Sequence, residues 1–296
     1  MKMKKYIALT ALASTLFMGN PSVNAQSIPF PQPSPTTTIS QNFATSKIEI
    51  SYSRPSAKGR KIFGDVVPYG KFWRTGANAA TTVSFGEDVK INGTDIKAGK
   101  YGLISFPGES EWIIVLSKDL TVNSADAYKQ ENDVARFTVK VEANKNYVET
   151  FTIEVGNMRN DACDLILKWE QVTVRLKVMS FYDERLTKQI TDVMAKDSRP
   201  YYGAANYYYE NGKDLNQALT WVNKALEANP TAYWVWLLKA KIQKGLKDYN
   251  GALESSTKSY DLAKADNDEA YMRNNEKLMA EIKATPGFVP AKPKKK

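Results

Sequence analysis

At 296 residues, with 43% hydrophobic and 25% charged residues, the chain has the length for two domains and the composition of a globular protein. Its net charge of +9 is concentrated at the ends: setting aside Lys2, Lys4 and Lys5, then Lys292, Lys294, Lys295 and Lys296, leaves +2 for the body between, too little for a nucleic-acid footprint. There is no histidine and one cysteine, Cys163, which excludes Ser-His-Asp and Cys-His catalysis, histidine-ligated zinc, and a disulfide or thiolate metal centre within one chain.

Residues 1–25 have the form of a secretory signal peptide: a lysine-rich start, an apolar run from Tyr6 to Met18, and Val23-Asn24-Ala25 as a small-residue cleavage site before Gln26. About 13 apolar residues fall short of the roughly 20 that a spanning helix needs, and no cysteine follows to carry a lipid. The expectation is an exported protein, periplasmic or extracellular, that does not span a membrane. Residues 26–38 form a Pro-rich linker, expected to be extended and solvated, a tether rather than a recognition peptide.

From residue 39 to 180 the pattern has period two. Ile48, Ile50 and Tyr52 alternate with Lys47, Glu49 and Ser51, and Val89 and Ile91 lead into Asn92-Gly93, a hairpin turn signal that also accounts for the Asn92-Gly93-Thr94 sequon. Tyr101 to Phe106 and Trp112 to Leu116 pair through Pro107-Gly108. Cys163, Leu165, Leu167 and Trp169 share one face, and Val172, Val174, Leu176 and Val178 another. Eight or nine short strands without a helical pattern between them predict an antiparallel β-sandwich or barrel-like domain. Cys163 is in phase with three large apolar residues, so it is expected in the core and not as a nucleophile.

Residues 181–284 change to helical period. Leu186, Ile190 and Val193 lie on one face of a helix that Asp183 is expected to cap. Asp214-Leu215-Asn216-Gln217-Ala218-Leu219 then recurs as Asp248-Tyr249-Asn250-Gly251-Ala252-Leu253, offset by 34 residues. In the first unit Tyr202, Tyr209, Ala218, Val222, Ala225 and Pro230, and in the second Trp236 and Ala252, occupy the positions of a tetratricopeptide repeat, although Lys264 replaces the second proline. Residues 199–265 therefore resemble that family, which implies an all-α, tetratricopeptide-like domain that binds a protein partner. A last helix near 268–283 is expected to cap the stack, and two units are expected to lean on the sandwich or on a partner. Residues 285–296 are a basic tail, expected to be disordered.

The stretch from Ser53 to Thr81 stands apart. It collects Arg54, Lys58, Arg60, Lys61, Lys71 and Arg74 among Phe63, Tyr69, Phe72 and Trp73, with many glycines and prolines, and predicts an ordered, irregular loop laid over the scaffold. Together with Ile91 to Trp112, its elements Arg-Pro, Gly-Arg-Lys-Ile-Phe-Gly, Trp-Arg-Thr-Gly-Ala-Asn and Ala-Gly-x-Tyr, and Trp169-Glu170 further on, resemble the family designated domain of unknown function 2911. That resemblance covers about 36–180 and implies exported bacterial proteins common in Bacteroidetes, a β-rich fold and an envelope location, and no reaction.

Two readings of the loop stand side by side. Arg54, Arg60, Lys61 and Arg74 suit carboxylate or phosphate, Tyr69 and Trp73 offer flat faces, and Thr75 and Asn78 add neutral hydrogen bonds, together a site for an anionic or glycan-like envelope ligand. Alternatively the arginines pin the loop to backbone carbonyls and the aromatics fill the gap beneath. The first makes the protein an exported binding or scaffold protein with no cofactor and no metal. The rival is a histidine-free carbohydrate-active hydrolase using acids among Asp65, Glu87, Asp88, Glu109 and Glu111, or a Ser56–Lys58 dyad. A purely structural envelope component is the third.

Overall fold

The computed structural model describes residues 30–196, 200–286 and 288–289. The expected signal peptide, the first residues of the linker and most of the basic tail lie outside the described residues.

Ten antiparallel strands form two sheets. The six-stranded sheet takes β1 (Thr36–Phe43), β2 (Ser46–Ser53), β3 (Ala77–Phe85), β6 (Gly99–Pro107), β7 (Glu111–Ser117) and β8 (Asp133–Lys140) in that spatial order. The four-stranded sheet runs β5 (Thr94–Ile96), β4 (Val89–Ile91), β10 (Ala162–Ser180), β9 (Glu142–Gly156). Their inner faces share one core, with Ile48, Ile50, Phe85, Ile114 and Leu116 from the first sheet meeting Ile91, Phe151, Ile153, Leu167 and Leu176 from the second. This is the antiparallel sandwich that the period-two pattern predicts. The β4–β5 turn is Asn92-Gly93, both at positive φ, as that dipeptide favours.

Three details differ from the sequence reading. Strand β1 begins at Thr36, inside the expected linker, because Thr36, Thr37 and Thr38 pair with Ser53, Tyr52 and Ser51. The long β10 replaces two short strands. Its register against β9 shifts on either side of Glu170, whose φ is 51°. The inserted residue of a bulge reverses the alternation, so Cys163, Leu165, Leu167 and Trp169 before it and Val174, Leu176 and Val178 after it all enter the same core. Third, α1 (Tyr182–Met194) has Phe181 at its N-cap; Asp183 sits in the first turn and accepts hydrogen bonds from Tyr207 Oη and Lys213 Nζ instead of capping.

Five further helices follow: α2 (Tyr201–Glu210), α3 (Leu215–Ala228), α4 (Tyr233–Gly245), α5 (Tyr249–Ala265) and α6 (Glu269–Lys283). Asp214, Asp248 and Asp268 cap α3, α5 and α6 through backbone N–H groups of the first turn. The fully buried Ala218 and Ala252 let the paired helices approach closely. This arrangement of six helices is compatible with tetratricopeptide-like repeats. Helices α2–α6 pack chiefly on one another, and the sandwich reaches the array mainly through α1. There Arg185 binds Glu87 and Thr45, and Ser180 Oγ donates to Glu87 at 2.8 Å. Among the described residues no helix is long and apolar enough to cross a membrane.

Candidate functional site

The loop between β2 and β3 fills the open end of the sandwich. Strand β3 pairs with only Gly99–Gly102 of β6, and beyond that point Trp73 takes its place: Trp73 N donates to Ser105 O at 2.8 Å and Ser105 N to Trp73 O at 2.9 Å. The other flank follows β9, with Ala57 N bonded to Glu149 O and Phe151 N to Pro55 O, both at 2.8 Å. Stapled on both sides, the loop delivers Ile62, Phe63, Val67 and Trp73 to the core. Phe63 and Trp73 join Trp112, Phe151 and Trp169 in one aromatic cluster, with Phe63–Trp112 and Trp73–Phe151 centroids 4.9 Å apart. Two glycines are dictated by space as well as by φ. A Cβ on Gly76 would lie 2.9 Å from Ser53 O, and one on Gly64 2.8 Å from the Tyr69 ring.

Taken one by one, the expected ligand residues divide: Trp73 and Thr75 are buried, Arg54 and Arg74 half-buried, and Arg60, Lys61, Tyr69 and Asn78 exposed. The arginines direct hydrogen bonds to the protein itself. Arg54 donates to Phe151 O at 3.2 Å and Thr152 Oγ1 at 2.8 Å. Arg60 donates to Ala57 O at 3.0 Å and Ser56 O at 2.9 Å, and Arg74 to Asn78 O at 2.9 Å. The guanidiniums thus serve three separate stretches of main chain and do not converge. Trp73, 7% exposed, gives its indole N–H to Gly76 O and presents no flat face to solvent. Thr75 is fully buried and shares a 2.7 Å hydrogen bond with Ser105. Asn78 donates to Ser34 O at 3.1 Å, fastening the start of the described chain. Like Arg60 and Asn78, Lys61 and Tyr69 are exposed, Tyr69 at 41%. The physical reason is that a sandwich with an uncovered end needs apolar filling and partners for loop carbonyls, and the aromatics and arginines supply both.

The residue that sequence reasoning missed is Glu170. The bulge aims its carboxylate at the loop, where it accepts the amide N–H groups of Ile62 at 3.1 Å and Phe63 at 3.4 Å. The signal was present in the change of apolar phase between Trp169 and Val172, which a bulge explains and two strands on opposite faces do not.

The acids weighed for catalysis occupy structural or solvated places. Glu87 ties β3 to α1, and Asp88, held below the usual carboxylate range chiefly by Lys97 and the Ala98 amide, braces the β4–β5 end. Asp65, Glu109 and Glu111 are exposed in turns or at a strand start. Ser56 Oγ hydrogen-bonds Thr150 Oγ1 at 2.8 Å. Cys163 is 1% exposed and burial pushes its thiol up to about 12, as expected of a core residue. Among the described residues no group of three or more potential ligands is placed to hold a metal ion.

A cavity of about 440 Å³ borders Glu87, Asp88 and Arg185 where the sandwich meets α1, and two roomier ones lie in the helical array. One of about 650 Å³ is bordered by Tyr202, Lys224, Glu227, Asn229 and Trp234, where α2 and α4 begin and α3 ends. The other, about 750 Å³, runs along α5 beside Trp236.

Fold and loop together define an antiparallel β-sandwich protein with a core-filling loop and an appended helical array. Residues 34–178 match the family model described as "Protein of unknown function (DUF2911)". The match spans most of the sandwich and contains every loop element on which the resemblance rested. No curated protein matches the chain, and no solved structure does.

Proposed function

We propose that the protein is an exported, non-enzymatic binding or scaffold protein of the cell envelope whose partner surface is the tetratricopeptide-like array. The observation that carries this reading is that Tyr202 and Trp234, each 38% exposed, both border the 650 Å³ cavity. Large aromatics left in solvent on a packed helical surface are the residue types that dominate protein interfaces, and stacked helix pairs present such surfaces over several helices. Lys224 and Glu227 at the rim add charges of both signs, which favours an extended protein segment over a small anion. On the sandwich, the exposed Arg60, Lys61, Tyr69 and Asn78 are the loop residues open to an anionic or glycan-like ligand.

Photo-crosslinkers placed in living cells at Tyr202, Trp234 and, as a control on the sheet surface, Lys140 test the reading. A discrete protein adduct from the first two positions, in an envelope fraction whose mature chain starts at Gln26, is the expected result. Equal adducts from all three positions, or none from Tyr202 and Trp234, overturn it.

A further inference from the structure

The two sheets have four edge strands between them, and three of these are blunted. Strand β5 is three residues long and carries Asp95. Strand β9 bears Lys145, Glu149 and Glu154, and the start of the loop overlies it through the Ala57–Glu149 and Phe151–Pro55 main-chain bonds. Strand β8 carries Arg136 and Lys140. The fourth edge, β1, reads Thr36-Thr37-Thr38-Ile39-Ser40-Gln41-Asn42-Phe43, eight residues without a charge or a proline. Charge, proline, shortness and cover are what keep an edge from pairing with another strand, and among the described residues β1 has none of them. The bond from Arg54 N to Pro35 O, at 2.9 Å, fixes the parity of its pairing with β2. The main-chain groups of Thr37, Ile39, Gln41 and Phe43 point at β2, and those of Thr36, Thr38, Ser40 and Asn42 point away from the sheet. In that outward row only Asn42 O has a partner among the described residues, the Gln41 side chain at 3.1 Å. The chain leading into β1 turns the other way: Ser34 O accepts from Asn78 of β3, on the far side of β2, and Phe30 is exposed.

We infer that β1 is the surface through which two copies of this chain associate, edge to edge and antiparallel about a two-fold axis at Ile39. The two six-stranded sheets then become one. Three observations select a second copy as the occupant. Outward-pointing residues bond only to outward-pointing residues, and this axis sets Thr36 of one copy opposite Asn42 of the other, and Thr38 opposite Ser40, in both halves. That closes about eight main-chain hydrogen bonds. Ile39, half-buried against the sandwich core, meets its own counterpart in a pair of the closer strand spacing, where the partner completes its burial. Every side chain brought face to face is neutral, so no like charges oppose one another when the edge meets itself. The strand is about 27 Å long, which places the contact among the smaller interfaces and makes the association depend on concentration. The inference does not rest on the function proposed for the helical array.

Sedimentation of the purified protein between about 1 μM and about 1 mM should show monomer passing to dimer. Over the same range the amides of Thr38 and Ser40 should go from freely exchanging to protected. Thr38→Lys with Ser40→Lys sets lysine opposite lysine twice in the dimer and should weaken it about tenfold. Thr38→Glu with Ser40→Lys sets glutamate opposite lysine at the same two places and should restore it. Ser40→Pro removes one outward N–H from each copy and no bond to β2, and should weaken the dimer by at least the same factor. Residues 38 and 40 are exposed, and circular dichroism checks that each variant keeps the parent fold. A protein that stays monomeric at about 1 mM overturns the inference, whatever other strand the edge accepts. So does a dimer that the two lysine replacements and Ser40→Pro leave unchanged. A Thr38→Glu, Ser40→Lys variant as weak as the Thr38→Lys, Ser40→Lys one overturns the pairing about Ile39.

Discussion

The carboxylate of Glu170 lies 3.1 Å from the amide nitrogen of Ile62, a contact that crosses from the middle of the longest strand to the centre of the longest loop. It exists because the chain at Glu170 takes a positive φ and breaks the pairing of β10 with β9. A bulge that is often only a kink here points an acceptor at two loop amides beside a fully buried Ile62.

Replacing Glu170 should therefore unfasten the loop. Glu170→Ala is expected to lower stability by about 2 kcal/mol, since amides left without acceptors lose more than the net value of the bond. Glu170→Gln, which keeps one carbonyl oxygen, should cost roughly half of that. Urea unfolding measures both, and an alanine variant within about 0.5 kcal/mol of the parent would show that the contact does not hold the loop.

The cations of the loop should separate by what they touch. Arg54→Ala and Arg60→Ala each remove two hydrogen bonds to the loop or to β9, and a loss of about 1–2 kcal/mol apiece is expected. Lys61→Ala, at an exposed position, should stay within about 0.5 kcal/mol of the parent. Thermal unfolding of the three variants side by side decides this; equal losses from Lys61 and Arg54 would remove the distinction between pins and free cations.

Cys163 gives a pH signature. Its thiol ionises near 9.0 when unfolded and near about 12 when buried in the sandwich. A raised pKa favours the neutral, folded form, so the contribution to stability is complete below pH 9 and is lost as the pH climbs toward about 12. Native protein should accordingly resist alkylation at pH 8 and react only at the rate of unfolding, followed by mass spectrometry. Stoichiometric labelling within minutes under native conditions would place the thiol in solvent.

The capping helix α6 is held by a polar contact as well as by Leu278 and Ile282. Asn275, fully buried, accepts from Ser256 Oγ at 2.9 Å and donates to Ser259 Oγ at 2.9 Å and to Tyr271 O at 2.8 Å. Asn275→Ala leaves those hydroxyls short of partners and should cost about 2–3 kcal/mol, with faster hydrogen exchange in α6. The paired change Asn275→Leu with Ser256→Ala removes donor and acceptor together and should cost less than the single variant. A double variant less stable than Asn275→Ala would contradict this account.

Local chemistry alone specified much of the molecule. Alternation of Ile48, Ile50 and Tyr52 against charged neighbours fixes a half-buried strand, Asn92-Gly93 fixes a hairpin, and the 34-residue recurrence around Ala218 and Ala252 fixes the helix pairs. The first two depend on residues within a few positions of one another, where periodicity and turn preference act directly, and the third on one such local pattern written twice. The loop was legible as ordered and irregular, but not in its direction. Whether Arg54 faces a guest or Phe151 O, and whether Trp73 is a platform or a core residue, depends on strands about 100 residues away and on how much of β6 the third strand leaves unpaired. The bulge at Glu170 was written into the sequence as a phase change, yet its consequence required the loop to be in place above it. Short-range pattern chose the elements of this protein, and the demand that an open sandwich end be filled and its carbonyls satisfied chose what the cationic loop does.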